Sequence, residues 1–314
     1  MKTLVLSMIS IAATVAAMTA CTSEGDPIDN IDNGQPVEIQ LNAGVVTTKA
    51  AITSNADGKL DEDLANVHFY RIDGADPDWT STTPPSSFTG SISSTTQKIL
   101  FSKPQYYPAN GEKTTIAGLY VGDETNTPPS TTKGVAAVNI TGNEDILCAT
   151  PADLGDRKTP KTTSLGFTHL LTQFKFIVKI DNVTIKEAIS NISINVKNAN
   201  TSANVTLSDG SIGTWSTKNV ITGPTGLEAK ADGLASTASK GIMLEPNLSS
   251  IELVITGSGL PSEGLEATIS GSDEGIFKQG NAYDITLTFK AREVTGTATV
   301  AEWKSGTPAE GDVI

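Results

Sequence analysis

The side chains that could do chemistry in this 314-residue chain are few and far apart. Histidine occurs twice, at His68 and His169, and cysteine twice, at Cys21 and Cys148. Two histidines about a hundred positions apart cannot form a three-ligand zinc site without several acidic residues, and no His-Glu-x-x-His or paired-cysteine motif supplies the other ligands. The sequence therefore predicts no metal site and no cofactor.

Motifs for a catalytic nucleophile or a phosphate-binding loop are also missing. The chain has neither a Gly-x-Ser-x-Gly elbow nor a Gly-x-x-x-x-Gly-Lys-Ser/Thr loop. Its 35 acidic residues leave open a carboxylate pair for glycoside hydrolysis. His169 lies on an apolar-flanked stretch, so we interpret it as a hydrogen-bonded core histidine. We predict that the protein is not an enzyme.

Cys21 follows a segment that resembles a bacterial lipoprotein signal peptide, residues 1–20. Lys2 is the positive start, Leu4–Ala17 is apolar, and a short approach from Met18 to Ala20 precedes Cys21. The apolar stretch is shorter than the roughly 20 residues of a transmembrane helix. The resemblance predicts cleavage between Ala20 and Cys21 and lipid, including palmitate, on Cys21. An ordinary signal cleavage that leaves a free protein is the alternative.

Residues 21–36 are acidic, rich in Asp, Asn, Gly and Pro, and poor in apolar side chains, which is typical of a flexible tether. If Cys21 carries lipid, Cys148 has no intramolecular partner and is predicted to be a small buried hydrophobe. No disulfide is predicted.

Composition favours an all-β protein and excludes some partners. Thr, Ser, Asn and Gly are abundant and aromatic residues make up only 5%, which suits strands and turns. The chain is long enough for two domains. A net charge of −13 provides no basic surface for nucleic acid or anionic lipid.

The clearest half-buried strand is the run from residue 37 to residue 45, in which apolar and other residues alternate without a break. The alternation puts five side chains on one face: Val37, Ile39, Leu41, Ala43 and Val45.

Residues 165–180 contain two alternating runs that meet at a one-residue change of register. Leu165, Phe167 and His169 share one parity, and Phe174 and Phe176 share the other. This pattern predicts a bulged or broken strand. A helix is the competing interpretation, because apolar residues also recur at i, i+3, i+4 and i+7.

An Asp-apolar-Leu-x-Ala run lies at Asp145–Ala149, and a Phe-x-His-x-Leu run follows at Phe167–Leu171. Two motifs in this order resemble the fimbrillin (Mfa-like) family of bacterial surface pilins. Tyr106-Tyr107-Pro108 before an Asn-Gly turn, and Gly280-Asn281-Ala282-Tyr283 before a late strand, resemble the family as well.

The resemblance implies a type V pilus subunit lipoprotein built from two transthyretin-like β-sandwich domains in tandem. With a turn signal at Asp181-Asn182, we place the domains at residues 37–181 and 182–314. In fimbrillins a trypsin-like protease, usually Arg-selective, removes the first strand. Lys49 stands at that place here, which predicts a cut between Lys49 and Ala50 and removal of residues 37–49; an ordinary exposed lysine is the alternative.

Removal of the first strand would open an apolar groove that a strand of a neighbouring subunit fills. The implied partners are other pilin subunits, the outer membrane through lipid before maturation, and a host or bacterial surface ligand. The implied locations are the outer membrane for the precursor and the cell-surface fimbrium for the mature subunit, in a role in adhesion.

The C-terminal stretch alternates poorly, because Gly296, Ala298 and Val300 are small, which favours a tip or accessory subunit that donates no strand; a stalk subunit stays open. The alternative function is a lipid-anchored surface glycan-binding protein. It would need an exposed aromatic platform, which is hard to build from three tryptophans.

Overall fold

The computed structural model describes residues 35–45, 60, 62–122, 129–181, 185–272, 274–290 and 293–300. These residues form β-strands joined by turns and loops, with no helix among them. The strands are β1 (Leu41–Val45), β2 (Leu64–Asp73), β3 (Ser86–Ile92), β4 (Lys98–Phe101), β5 (Thr114–Tyr120), β6 (Thr131–Thr132), β7 (Val135–Asn139), β8 (Leu147–Asp153), β9 (Ser164–His169), β10 (Thr172–Ile180), β11 (Ile189–Thr206), β12 (Ser211–Thr222), β13 (Leu227–Ala229), β14 (Ile242–Leu244), β15 (Ser250–Ser258), β16 (Leu265–Ser270), β17 (Ala282–Lys290) and β18 (Glu293–Val300). The all-β prediction is confirmed for the described residues.

Seven strands close into a barrel in the order β1-β4-β3-β2-β5-β8-β9. Alternation along β2 shows how the sequence builds it: Val67 and Phe69 enter the barrel core, whereas Tyr70 belongs to the neighbouring core outside. Gly118 on β5 makes room for an aromatic ring, because a Cβ there would lie 2.6 Å from Cζ of Phe167. The barrel is therefore filled by side chains, as small barrels are.

The remaining strands form two sheets around a second core. One sheet has the order β14-β10-β17-β18, and the other has the order β16-β15-β11-β7-β6, with β12 and β13 also paired to β11. Phe174 and Phe176 of β10, and Tyr283 of β17, are fully buried between them. Gly296 brings β18 close to β16, since a Cβ there would lie 2.1 Å from Cδ1 of Ile269.

The predicted change of register in residues 165–180 is the place where the chain passes from the barrel to the sheets. β9 ends at His169 in the barrel, β10 begins at Thr172 in the four-stranded sheet, and Leu170 and Leu171 between them are fully buried. The broken strand is confirmed, and the competing helix is wrong. Long-range pairing on both sides of the break outweighs the short helical pattern.

The Gly280-Asn281-Ala282-Tyr283 motif fastens this crossing from the other side. Gly280 has a φ of 69°, and its N–H donates to the carbonyl of Leu171 at 2.8 Å. The hydroxyl of Tyr283 accepts from the N–H of Lys278 at 2.9 Å. A glycine at this turn avoids the strain that a Cβ would impose at positive φ.

The free edge of β10 beyond its pairing with β14 is covered by the irregular segment around Ser236 and Ser239. The N–H groups of these serines donate to the carbonyls of Val178 and Phe176, both at 2.9 Å. Their hydroxyls accept from the N–H groups of the same two residues, at 3.0 and 2.9 Å. The serine side chains thus satisfy an edge that would otherwise offer unpaired donors.

From Pro36 onward the chain forms one compact unit. β7 and β10 precede Asp181 in the chain and pair with strands that follow it. The tandem transthyretin-like arrangement and the boundary near Asp181 stay predictions.

Candidate functional site

The first strand closes the barrel between β4 and β9. Ile39, Leu41 and Ala43 are 2%, 4% and 4% exposed and belong to the barrel core, and Val37 packs against it. The intervening residues are exposed. Four of the five side chains predicted for the inner face therefore pack in the barrel core or against it. The fifth, the side chain of Val45, lies outside the described residues.

Hydrogen bonds hold this strand on both edges. β1 is antiparallel to β4, with Leu41 opposite Ile99, and parallel to β9, with Ala43 opposite Leu165. Just before β1, the N–H of Ile39 donates to the carbonyl of Gln105 at 2.7 Å, and the carbonyl of Val37 accepts from Tyr107 at 3.0 Å. Without residues 37–45, β4 and β9 would face each other across a gap lined by apolar side chains.

Gln97 joins the two ends of the segment that contains the predicted cleavage point. Its carbonyl accepts from the N–H of Ala43 at 2.8 Å, and its side-chain Oε1 accepts from the N–H of Leu60 at 3.0 Å. Its Nε2 donates to the carbonyl of Leu60 at 3.3 Å. Gln97 has a φ of 56°, which is uncommon outside glycine. Sequence analysis missed this residue, because a glutamine in a turn carries no signal of such contacts.

The outer side of the first strand differs from its inner side. Glu38, Gln40 and Asn42 are exposed there. Leu100 and Tyr106, on the segment that pairs with the first strand, are large hydrophobic residues that are 55% and 45% exposed.

Asp145 and His169, from the two motifs that suggested the family, form a buried pair. His169 Nδ1 lies 2.8 Å from Asp145 Oδ2, and the side chains are 0% and 3% exposed. The prediction of a hydrogen-bonded core histidine is confirmed. The partner was not predicted, although both residues had been picked out by their motifs.

His68 and Cys148 are two further buried titratable groups in the described part of the chain. His68 is fully buried and neither ring nitrogen has a hydrogen-bond partner among the described residues, and burial lowers its pKa to about 4. Burial raises the pKa of the Cys148 thiol to about 12, so it is unreactive near neutral pH. Trp79 is 8% exposed and packs in the core.

The predicted processing sites at Ala20, Cys21, Lys49 and Ala50 lie outside the described residues. Among the residues that are described, no helix has the length and apolar character needed to cross a membrane.

Comparison with solved structures shows a shared fold. A protein from Bacteroides uniformis aligns with a TM-score of 0.57 and 17% identity over 87% of this chain and 100% of its own. One from Parabacteroides distasonis aligns with a TM-score of 0.53 and 10% identity over 88% of this chain and 99% of its own. Both are described as a "putative cell adhesion protein".

Sequence comparison identifies the family. A curated Bacteroides uniformis protein, "Putative fimbrium subunit Fim1C", is 23% identical over 207 residues, 64% of this chain and 65% of that protein, so just under two thirds of the relative is matched. The family model described as Fimbrillin-like matches residues 48–303, which is most of the chain. The chain belongs to the fimbrillin-like family.

Proposed function

We propose that this chain is a structural subunit of a cell-surface fimbrium, and that it assembles by exchanging its first strand for a strand of a neighbouring subunit. The observation that carries the proposal is the position of the first strand: β1 closes the barrel with both edges paired, and Ile39, Leu41 and Ala43 are buried inside it. Such a strand can be replaced by another of the same pattern, which is β-augmentation.

The energy of the inner face is adequate for this role. Full burial contributes about 1.5–3 kcal/mol for each large aliphatic side chain, so Ile39 and Leu41 together supply about 3–6 kcal/mol before ordering costs. An empty groove would leave the edges of β4 and β9 unpaired, which invites aggregation. The first strand of the precursor would thus act as an intramolecular plug.

The proposal includes processing of a lipoprotein precursor at the outer membrane. Lipid on Cys21 would hold the precursor at the membrane, and a cut between Lys49 and Ala50 would separate lipid and plug from the remainder. The match to the family model begins at residue 48, so β1 precedes the matched range. That limit agrees with a first strand that is not part of the mature subunit.

The C-terminal strand supports the role of a tip or accessory subunit that receives a strand and donates none. β18 pairs with β17 along its whole length, from Val300 opposite Tyr283 to Glu293 opposite Lys290. Val294 is 8% exposed and Ala298 packs against the same core. Residues used in this way inside the subunit are not free to fill a neighbour's groove.

The experiment that tests the proposal is intact mass measurement and N-terminal sequencing of the protein from cell-surface material. We expect a lipid-free polypeptide that begins at Ala50, and its loss in Lys49→Ala but not in the control Lys158→Ala, which removes an exposed lysine elsewhere in the chain. An acylated species beginning at Cys21 in assembled fimbriae would contradict the processing step.

A surface glycan-binding protein is the second candidate, and one observation favours it. A groove of about 610 Å³ is lined by amide and hydroxyl side chains without charge, among them Asn139, Thr201 and Asn219, beside the exposed Val220. The aromatic platform expected of such a protein is not seen in the described part: Trp79 is buried, and Trp215 is partly buried against the core. The fimbrial subunit is therefore the better supported function.

A further inference from the structure

We propose that the groove selects an incoming strand that is apolar on its inner face and also at outer positions 38 and 40, and that the resident first strand is mismatched on its outer face and is therefore displaceable. This inference rests on the proposed strand exchange and adds the chemistry of the partner strand. It is based on the residues at the outer side of the groove, whereas the proposed exchange considers only the side chains of the inner face.

The register shows which positions face which. Leu41 pairs with Ile99 at the end of the β1–β4 ladder, and Gln40 and Leu100 are the next residues on the two segments. Glu38 forms an isolated antiparallel bridge with Tyr106. Side chains alternate between the two faces of a strand. Because Leu41 and Ile99 are buried, the exposed residue 40 and Leu100 share the outer face.

The resident strand leaves these outer residues uncovered. It places a carboxylate at Glu38 opposite Tyr106 and an amide at Gln40 on the face that Leu100 shares, and both hydrophobic residues remain about half exposed. Cross-strand neighbours on one face contact each other, and apolar pairs stabilise a sheet. A strand with apolar side chains at positions 38 and 40 would remove this apolar surface from water.

At a third outer position, position 42, the groove favours a negatively charged side chain. Asn42 pairs with Lys98, which is exposed. An acidic residue at position 42 of the incoming strand would lie opposite this lysine, whereas the resident asparagine makes no charge pair. The inner face adds a size limit, because position 43 holds a buried alanine opposite Leu165.

The preferred partner is thus an extended strand with a defined pattern. It carries apolar residues at 38 and 40 on the outside, an acid at 42, large aliphatic residues at 39 and 41 on the inside, and a small residue at 43. The resident strand meets the inner requirements and fails the outer ones. This difference favours replacement of the plug and disfavours its return.

The test uses the chain with a sequence-specific protease site at Lys49, cut after folding, and two nine-residue peptides. One peptide has the sequence of residues 37–45, and the other carries Glu38→Val and Gln40→Val. Native mass spectrometry measures which peptide replaces the cut strand at equilibrium. We expect a preference of at least about tenfold for the substituted peptide, since two apolar contacts are gained.

The matched control is the double variant Leu100→Ser and Tyr106→Ser, in which the expected preference falls to about one because the apolar surface is gone. Equal binding of the two peptides to the unaltered chain, or a preference that persists in the control, would overturn the inference and leave strand exchange standing. If neither peptide replaces the cut strand, the proposed exchange itself fails.

A second measurement does not depend on exchange. In the uncut chain, Glu38→Val with Gln40→Val should raise the urea midpoint of unfolding, and the rise should disappear in the Leu100→Ser and Tyr106→Ser background. An equal rise in both backgrounds would show that the outer residues do not contact each other, and would also overturn the inference.

Discussion

Asp145 Oδ2 lies 2.8 Å from His169 Nδ1 in a site that excludes water, and this hydrogen bond joins the loop before β8 to the last residue of β9. The pair stands next to the crossing at Leu170 and Leu171. It therefore fixes the point at which the chain leaves the barrel and enters the four-stranded sheet.

Asp145→Ala should destabilise the protein by about 2–4 kcal/mol, because removal of one partner leaves the other buried and unpaired. Urea unfolding at neutral pH measures the change. The exposed Asp76→Asn is the control and should shift the free energy of unfolding by less than about 0.5 kcal/mol. Equal effects of the two substitutions would show that the buried pair contributes nothing.

His68 should make stability depend on pH between about 6.5 and 4. Its pKa falls from 6.5 to about 4 on folding, because burial disfavours the charged ring. Below pH 6.5 the unfolded chain takes up a proton that the folded chain does not, so stability decreases as pH falls and levels off below the folded pKa. The loss is at most about 3 kcal/mol.

His68→Leu should remove this part of the pH dependence. Unfolding of both proteins by urea from pH 7 to pH 4 gives the difference in free energy at each pH. A difference that is constant over this range would contradict the assignment.

The inner face of the plug can be tested separately from its removal. Leu41→Ala should cost about 2–4 kcal/mol, because the side chain is 4% exposed in the barrel core. Asn42→Ala, on the outer face of the same strand, should cost less than about 0.5 kcal/mol. Thermal and chemical unfolding of both variants measure the loss of stability. Similar losses for Leu41→Ala and Asn42→Ala would contradict the burial of only one face of the strand.

The serine cover on β10 should respond to loss of its hydroxyls. Ser236→Ala and Ser239→Ala each remove the acceptor for a strand N–H and should cost about 1 kcal/mol. They should also speed hydrogen exchange at Val178 and Phe176. Thr237→Ala, between them and exposed, should leave exchange at both amides unchanged. Unchanged exchange in the serine variants would mean that other groups protect this edge.

Gly296 allows β18 to approach β16, so Gly296→Ala should destabilise the protein, and Ile269→Val should recover part of the loss by removing the methyl group that the new Cβ meets. Gly213→Ala is the control, because no heavy atom lies within 4 Å of a Cβ there. Purely additive effects at positions 296 and 269 would contradict the contact.

The sequence predicted the elements whose burial is one-sided. The first strand was found because Ile39, Leu41 and Ala43 alternate with exposed residues, and the broken strand was found because its two halves bury opposite parities in different cores. Local alternation indicates which face of a strand is buried, and it does so even when the partner strands are unknown.

The pairing of strands could not be predicted in the same way. β7 pairs with β11 across more than 60 positions, with Val138 opposite Ala203. The residue pattern of either segment does not indicate which strand is its partner. Closure of the barrel by β1 between β4 and β9 is equally non-local. Gln97 could not be predicted because its role depends on a positive φ and on two backbones that meet only in the fold.

The two-sided pairing of the first strand has a mechanical consequence. A strand bonded along both edges, antiparallel to β4 and parallel to β9, carries a pull along its own axis as shear across two ladders. Several hydrogen bonds must then break together, whereas a strand peeled from a single edge loses them one at a time. Under the proposed strand exchange, an incoming strand in the same groove would have the same resistance to a pull along its axis.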